Sequence, residues 1–350
     1  MSLFSIAVIP GDGVGREVIP EALRVLDRVA KLEYRNFDWG SAHYLRHGRM
    51  MPADGLEALV KFDAILLGAI GHPDVPDHVT LNGLLLPIRR GFDQYANVRP
   101  AMLYPGVASP LANPGTIDMI VVRENTEGEY AQVGGFLYRE QPEEVAIQTG
   151  VFTRRGIERV VRHAFELARK RNKKRRVTSI TKSNAQGFGM VLWDSAFAHV
   201  AAEFPDIETE SLLVDAAAMN FVRRPASFDV VVGSNLFADI LSDLSAILAG
   251  SIGLAASANL DPTRRHPSMF EPVHGSAPDI AGRGIVNPLA AILSASMMLD
   301  HLGLSKEAHA VERAVAAVLA EQKVRTADLG GKSSTREVTD AVLAQLPPSP

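Results

Sequence analysis

Asp239 and Asp243 stand four residues apart in "NLFADILSDLSAIL", so a helix there would put both carboxylates on one face. Two like charges so placed repel unless a cation lies between them, and a hard ion such as Mg²⁺ or Mn²⁺ meets that need. Spacing alone favours the plainer alternative, a solvated acidic face. Arginines are the second group. "LLLPIRRGFDQYANVRP" carries Arg89, Arg90 and Arg99; "VVRENTEGEY" adds Arg123 after an apolar run, with Tyr130 shortly beyond. A guanidinium matches a carboxylate through two parallel hydrogen bonds. Converging on the aspartates, these arginines would form a site for a small polycarboxylate; taken singly, each is a surface charge. Lys182, in "VTSITKSN", follows a strand-like run. Beside a cationic cluster such a lysine would lose its proton more easily and could act as a base; in isolation it is a surface lysine.

Elements must position these groups. The segments "SIAVIP", "FDAILLGAIG", "IDMIVVREN", "RRVTSITKSN" and "FDVVVGSN" are strand-like, and amphipathic stretches such as "GREVIPEALRVLDRVAK" and "RGIERVVRHAFELA" read as helices. The alternation predicts an α/β protein with a mostly parallel sheet, in which functional groups gather at the carboxyl ends of strands. A chain of 350 residues suggests two domains. Its 47% hydrophobic content suits a sizeable core, and a net charge of −4 gives no reason to expect a polyanionic partner. The basic run "RKRNKKRR", 169–176, follows a helix pattern, where cations favour the C-terminus, so nucleic-acid binding is not expected. There is no cysteine, which excludes disulfides and thiolate chemistry and makes the cytoplasm the expected location. No apolar run is long enough to span a membrane, no basic region precedes an apolar segment near residue 1, and the tail "LPPSP" is expected to fray.

Two loops bear on a cofactor. "IAVIPGDGVGREV" resembles a phosphate-cradling turn, but its glycines are Gly11, Gly13 and Gly15, and Arg16 stands where the dinucleotide fingerprint needs its third glycine. "MFEPVHGSAPDIAGRGIVNP", 269–288, is a long irregular segment before a helix pattern, of the kind that carries function. Its Asp279 could hydrogen-bond ribose hydroxyls and repel a 2′-phosphate.

Together, "PGDGVGREV", "LLLPIRRGFDQYANVRP", "VVRENTEGEY", "TKSN", "NLFADILSDL" and "MFEPVHGSAPDIAGRGIVNP" resemble, in order and over nearly the whole chain, the β-decarboxylating dehydrogenases: the family of isopropylmalate, isocitrate, tartrate and D-malate dehydrogenases. The resemblance implies an isocitrate/isopropylmalate dehydrogenase-like α/β fold. It has two domains around a central cleft and a mixed sheet, and is not a Rossmann fold. Residues 1–99 plus 250–350 would form the large cofactor domain, and 100–249 a small domain with the dimer interface. It implies that Arg89, Arg99 and Arg123 clamp the malate carboxylate, with Asn82, Leu85 and Leu86 shaping the pocket. Asp215, Asp239 and Asp243 would bind Mg²⁺ or Mn²⁺, Lys182 would be the base for the C2 hydroxyl, and Tyr130 the acid that protonates C3. NAD⁺ is the implied cofactor, with Val14, Glu271, His274, Gly275, Ser276, Ala277, Asp279, Ile280 and Asn287 as its neighbours and K⁺ as an accessory ion. Lys182 and Asp215 would reach across a homodimer with shared active sites.

Substrate choice in this family lies just before Arg89. Gly83 and Leu85 replace the serine and asparagine of isocitrate enzymes, and Asn82 replaces the glutamate of isopropylmalate enzymes. The wording "VPDH" and "FDQYANVRP" is most similar to tartrate and D-malate dehydrogenases, although these usually carry tryptophan where Asn82 stands. A D-malate or tartrate dehydrogenase is therefore expected. 3-Isopropylmalate dehydrogenase is the first alternative, and a non-catalytic metal or nucleic-acid-binding relative the second.

Overall fold

The computed structural model describes residues 3–347. The last three residues of the "LPPSP" tail lie outside them. Twelve strands are β1 Phe4–Gly11, β2 Leu32–Asn36, β3 Ala64–Ala69, β4 Ala96–Met102, β5 Asp118–Glu124, β6 Gly128–Leu137, β7 Val145–Val151, β8 Arg176–Thr181, β9 Glu208–Leu213, β10 Val230–Gly233, β11 Ala256–Leu260 and β12 Ser268–Pro272. Ten build one sheet in the order β2-β1-β3-β12-β11-β4-β5-β10-β8-β9; β6 and β7 form a separate hairpin.

The flanks of the sheet are parallel, as the strand–helix alternation predicts. Its centre is not: β4 runs antiparallel to both β11 and β5, and β11 antiparallel to β12. The mixed sheet agrees with the resemblance and corrects the mostly parallel reading of the alternation. The register at this centre matters for the site. Asn97 of β4 lies opposite Asn259 of β11 and Arg123 of β5, and Ser257 lies opposite Glu271 of β12. Directly opposed residues, and residues two apart on a strand, share one face. Glu271, Ser257, Asn259, Asn97, Arg99 and Arg123 therefore line up on a single polar face.

Strands covered on both sides are apolar throughout, because every residue faces a core. In β1, Ile6 and Val8 join the main core, while Ala7 and Ile9 join a second cluster with Trp39, Met50 and Leu84. The helix Leu289–His301 is buried almost all round, as an element inside the main core must be. The run 246–260, apolar and rich in small residues, is mostly buried, and no helix among the described residues is long and apolar enough to cross a membrane.

The glycine turn is settled by its packing. Gly11 and Gly13 have φ of +71° and +50°, and a Cβ would lie 2.0 Å from the Ala69 carbonyl oxygen and 2.1 Å from that of Ser276, respectively. The Val14 amide donates to the Ser276 carbonyl at 2.9 Å. The Asp12 carboxylate accepts from the Ser41 amide, the Ser41 hydroxyl and the Gly71 amide at 2.7–3.0 Å. The turn cradles its own protein backbone, not a phosphate.

The basic run is a solvated, paired surface. Arg169 and Arg175 share Asp206, Arg171 bonds Asp118 and Asp229, Lys173 bonds Asp118 and Arg176 bonds Glu208.

Candidate active site

The helix Asn235–Leu248 begins directly after β10, where the Ser234 side chain caps it by accepting from the Phe237 amide. That start fixes which face meets β4 and β5. Asn235, Asp239, Ser242 and Asp243 all turn towards the arginines. Arg99 donates to Asp239 Oδ1 at 3.0 Å, to the Ser242 hydroxyl at 2.8 Å and to Asp243 Oδ1 at 3.4 Å. Arg123, fully buried, holds Asn235 Oδ1 with two donors at 2.9 and 2.7 Å and also bonds Asp239. Arg89 donates to Glu271 Oε1 at 2.7 Å. Tyr130 OH donates to Asp239 Oδ2 at 2.9 Å, and the Arg123 guanidinium lies 5.2 Å from the centre of the tyrosine ring.

These groups surround a cavity of about 310 Å³, which Leu81, Leu85 and Leu86 close on one side. Leu81–Leu85 form a single π-helical turn, a rare form often found at functional sites. Arg89 and Arg99 line the cavity and each keeps a buried Nε–H without an acceptor. A buried donor left unpaired is costly.

The charges are tuned by burial and by one another. Burial alone would raise the pKa of Asp239, but Arg123 and Arg99 outweigh it and hold the carboxyl below its ordinary range. Burial raises Asp243, only partly offset by Arg99. Burial and the neighbouring Asp239 raise Tyr130, which keeps its hydroxyl protonated. Burial lowers Arg123 to about 9 against the opposing pull of Asp239.

Lys182 and Asp215 lie elsewhere on the chain. They pair at 2.7 Å, Asp215 is exposed, and its carboxyl is held below the usual range by the Lys182 hydrogen bond. Among the described residues Lys182 pairs with a carboxylate and is not part of the arginine cavity. No group of three metal-ligating side chains occurs among the described residues. Asp239 and Asp243 nevertheless supply an all-oxygen donor pair, and Asp243 is held only loosely by Arg99. That chemistry suits a hard divalent cation.

A second cavity, about 430 Å³, adjoins the first at His274 and Gly275. It is lined by Val14, Ala277, Ile280 and Asn287, together with Ile252, Val286 and Asp328. His274 keeps a buried Nε2 without a partner. A largely apolar slot with a few polar atoms suits a nucleotide base and ribose. Ser276 supports the glycine turn, Asp279 is exposed on the rim loop, and Glu271 faces the arginine cavity. Glu17 fixes this loop by accepting from the Gly282 and Gly284 amides.

Asn82 does not line the arginine cavity. Its side-chain oxygen accepts from Gln132, which also accepts from Arg90. Leu81 lines the cavity and Ser242 accepts from Arg99; neither was expected from the sequence. The three- and four-residue spacing Asn235–Asp239–Ser242 was the available signal.

The chain matches the isocitrate/isopropylmalate dehydrogenase family over residues 5–342. It is 52% identical over 352 residues to a protein of Agrobacterium vitis named probable tartrate dehydrogenase/decarboxylase, covering 98% of this chain and 96% of that one. It is 49% identical over 356 residues to the D-malate dehydrogenase (decarboxylating) of Escherichia coli strain K12, covering 98% of each. Among solved structures, isocitrate dehydrogenase from Methylococcus capsulatus superposes with a TM-score of 0.90 at 35% identity, over 98% of this chain and 99% of that one.

Proposed function

This chain belongs to the isocitrate/isopropylmalate dehydrogenase family, and from that premise we propose that it oxidises and decarboxylates D-malate or tartrate with NAD⁺ and Mg²⁺ or Mn²⁺. The observation that carries the reading is the meeting of Arg89, Arg99 and Arg123 with Asp239, Asp243 and Tyr130 around one cavity. Arginine forks match carboxylates, and Arg89, Arg99 and Arg123 all line the cavity. Tyr130 is held protonated, so its hydroxyl can deliver the proton to C3. Lys182 Nζ takes the proton from the C2 hydroxyl of the substrate in the partner's cavity, and Asp215 reaches there as third metal ligand. When bound, NAD⁺ accepts the hydride and the divalent cation stabilises the developing negative oxygen.

The place of the Lys182–Asp215 pair away from the cavity supports reading the protein as a homodimer with shared sites. The β6–β7 hairpin supports it, since Val133, Phe136, Leu137, Val145 and Ile147 all lie exposed there. Contiguous exposed apolar surface marks an interaction site. The large domain comprises 1–99 with 250–350, and the small domain 100–249. The acidic, exposed Asp279 favours NAD⁺ over NADP⁺. The absence of cysteine supports placing this enzyme in the cytoplasm.

The apolar wall Leu81, Leu85 and Leu86 also fits 3-isopropylmalate, the second reading. Steady-state NADH formation with Mn²⁺ separates them. We expect the highest kcat/KM with D-malate or tartrate. A clear preference for 3-isopropylmalate would overturn the substrate assignment, and exchange of K⁺ for Na⁺ in the same assay reads the accessory ion.

A further inference from the structure

The arginines that line the cavity rest on a buried polar face with its own centre. Asn259 is fully buried on β11. Its Nδ2 donates to Glu271 Oε1 at 2.8 Å, the same oxygen that Arg89 holds at 2.7 Å. Its Oδ1 accepts from Asn97 Nδ2 and from Asn125 Nδ2, each at 3.0 Å. Asn97 stands two residues before Arg99 on β4, and Asn125 two residues after Arg123. One amide thus joins the carboxylate that holds Arg89 to residues two positions from Arg99 and from Arg123. Its orientation is dictated, because the end facing Glu271 must donate and the end facing two amide donors must accept. Buried amides cost free energy unless paired, so the network is rigid where it is satisfied.

We propose that Asn259 is a positioning residue for substrate binding. It fixes Glu271, and through it the Arg89 guanidinium, in register with the strands that carry Arg99 and Arg123. The inference rests on the reading of the arginines as the substrate clamp. Asn259 touches neither substrate nor cofactor. Its effect passes through Glu271, which sets where the Arg89 fork points.

Asn259→Asp is the selective perturbation. The new carboxylate still accepts from Asn97 and Asn125 but cannot donate to Glu271, and it faces that carboxylate with a like charge. Arg89 is the other charged group at this point; Asn97, Asn125 and Ser257 are neutral. The readout is KM for D-malate against KM for NAD⁺ in the dimeric enzyme with Mn²⁺, from pH 6 to 8. We expect the D-malate KM to rise about ten-fold or more at pH 8 while that for NAD⁺ stays within two-fold. The rise shrinks towards pH 6, where a proton shared between the two carboxyls restores the donor. A merely structural role would not give that pH dependence. Glu271→Gln is the companion variant should Asn259→Asp fail to fold. It keeps an acceptor for Asn259 but withdraws the charge from Arg89, so the D-malate KM rises without recovery at low pH. A D-malate KM within two-fold of the unaltered enzyme in the folded variant overturns the proposal. Absence of turnover by the unaltered enzyme with any malate-type acid overturns the functional reading, and this inference with it.

Discussion

Asp239→Asn separates the two tasks that converge on one carboxylate. Asp239 bonds Arg99, Arg123 and Tyr130, and its side chain is 28% exposed. Breaking a fully buried ion pair costs about 3–5 kcal/mol. Here the cost is smaller. Arg123 retains Asn235, Arg99 retains Ser242 and Asp243, and the repulsion between Asp239 and Asp243 is relieved. We expect about 2 kcal/mol of lost stability at pH 7, below that range after discounting for partial exposure and the retained partners. The sign with pH follows from the depressed carboxyl. Its contribution is complete above the unfolded-state value of about 3.9 and disappears as pH falls through the lower folded-state value. Urea unfolding of both proteins at pH 7 and pH 3 measures the difference, which should shrink at the lower pH. Mn²⁺ titration and NADH formation read the second task. Affinity for Mn²⁺ should fall, and kcat/KM should drop at least about a hundred-fold as the cation's stabilisation of negative charge is lost. An asparagine variant as stable as the parent at pH 7, binding Mn²⁺ equally well, would refute the assignment.

Lys182→Met should abolish oxidation while leaving NAD⁺ binding largely intact, as tested by fluorescence titration of the dinucleotide; near-normal kcat would show the base lies elsewhere. Mixed and reassembled with Arg123→Gln chains, themselves inactive, it should recover about a quarter of parental activity, because each random heterodimer holds one intact shared site; no recovery would place Lys182 and Arg123 in the same chain's site. Burial pushes His163 down to about 4, and its Nε2 has no partner. The unfolded chain takes up that proton near pH 6.5, so stability should fall by about 2 kcal/mol between pH 7 and pH 5, and His163→Leu should remove that share of the slope in urea unfolding. Asp279→Arg should raise kcat/KM with NADP⁺ relative to NAD⁺ at least ten-fold by offering the 2′-phosphate a cation; an unchanged ratio would discard Asp279 as the discriminating group.

The elements that carry the chemistry were legible where periodicity is local. The helix bearing Asp239 and Asp243 follows from apolar spacing and its Ser234 cap, β3 and β10 are continuous apolar runs, and β5 has one at its centre. The antiparallel centre was not legible, because "ANVRPAM" and "ASANL" carry polar residues on a buried face and so break the apolar signal that marks a core strand. The same property hid Asn259, whose partners come from 97, 125 and 271. The β6–β7 hairpin was missed because its apolar residues face outwards and no tight-turn pair joins its strands. The glycine turn misled in isolation, since what fills it comes from residues 69 and 276. Lys182 was visible as a lysine at a strand end, but its role and the whole of Asp215 entered through the resemblance to a family; nothing in their spacing pairs them.

The central claim is one of chemistry, and its most direct test is the stoichiometry of products. The enzyme is supplied with D-malate labelled in the C4 carboxylate, NAD⁺ and Mn²⁺, and NADH and labelled CO₂ are measured together. Equal amounts of both are expected, with production of each abolished by chelation of the metal and restored by Mn²⁺. NADH formed without labelled CO₂, or an equal yield of both after chelation, would contradict that claim.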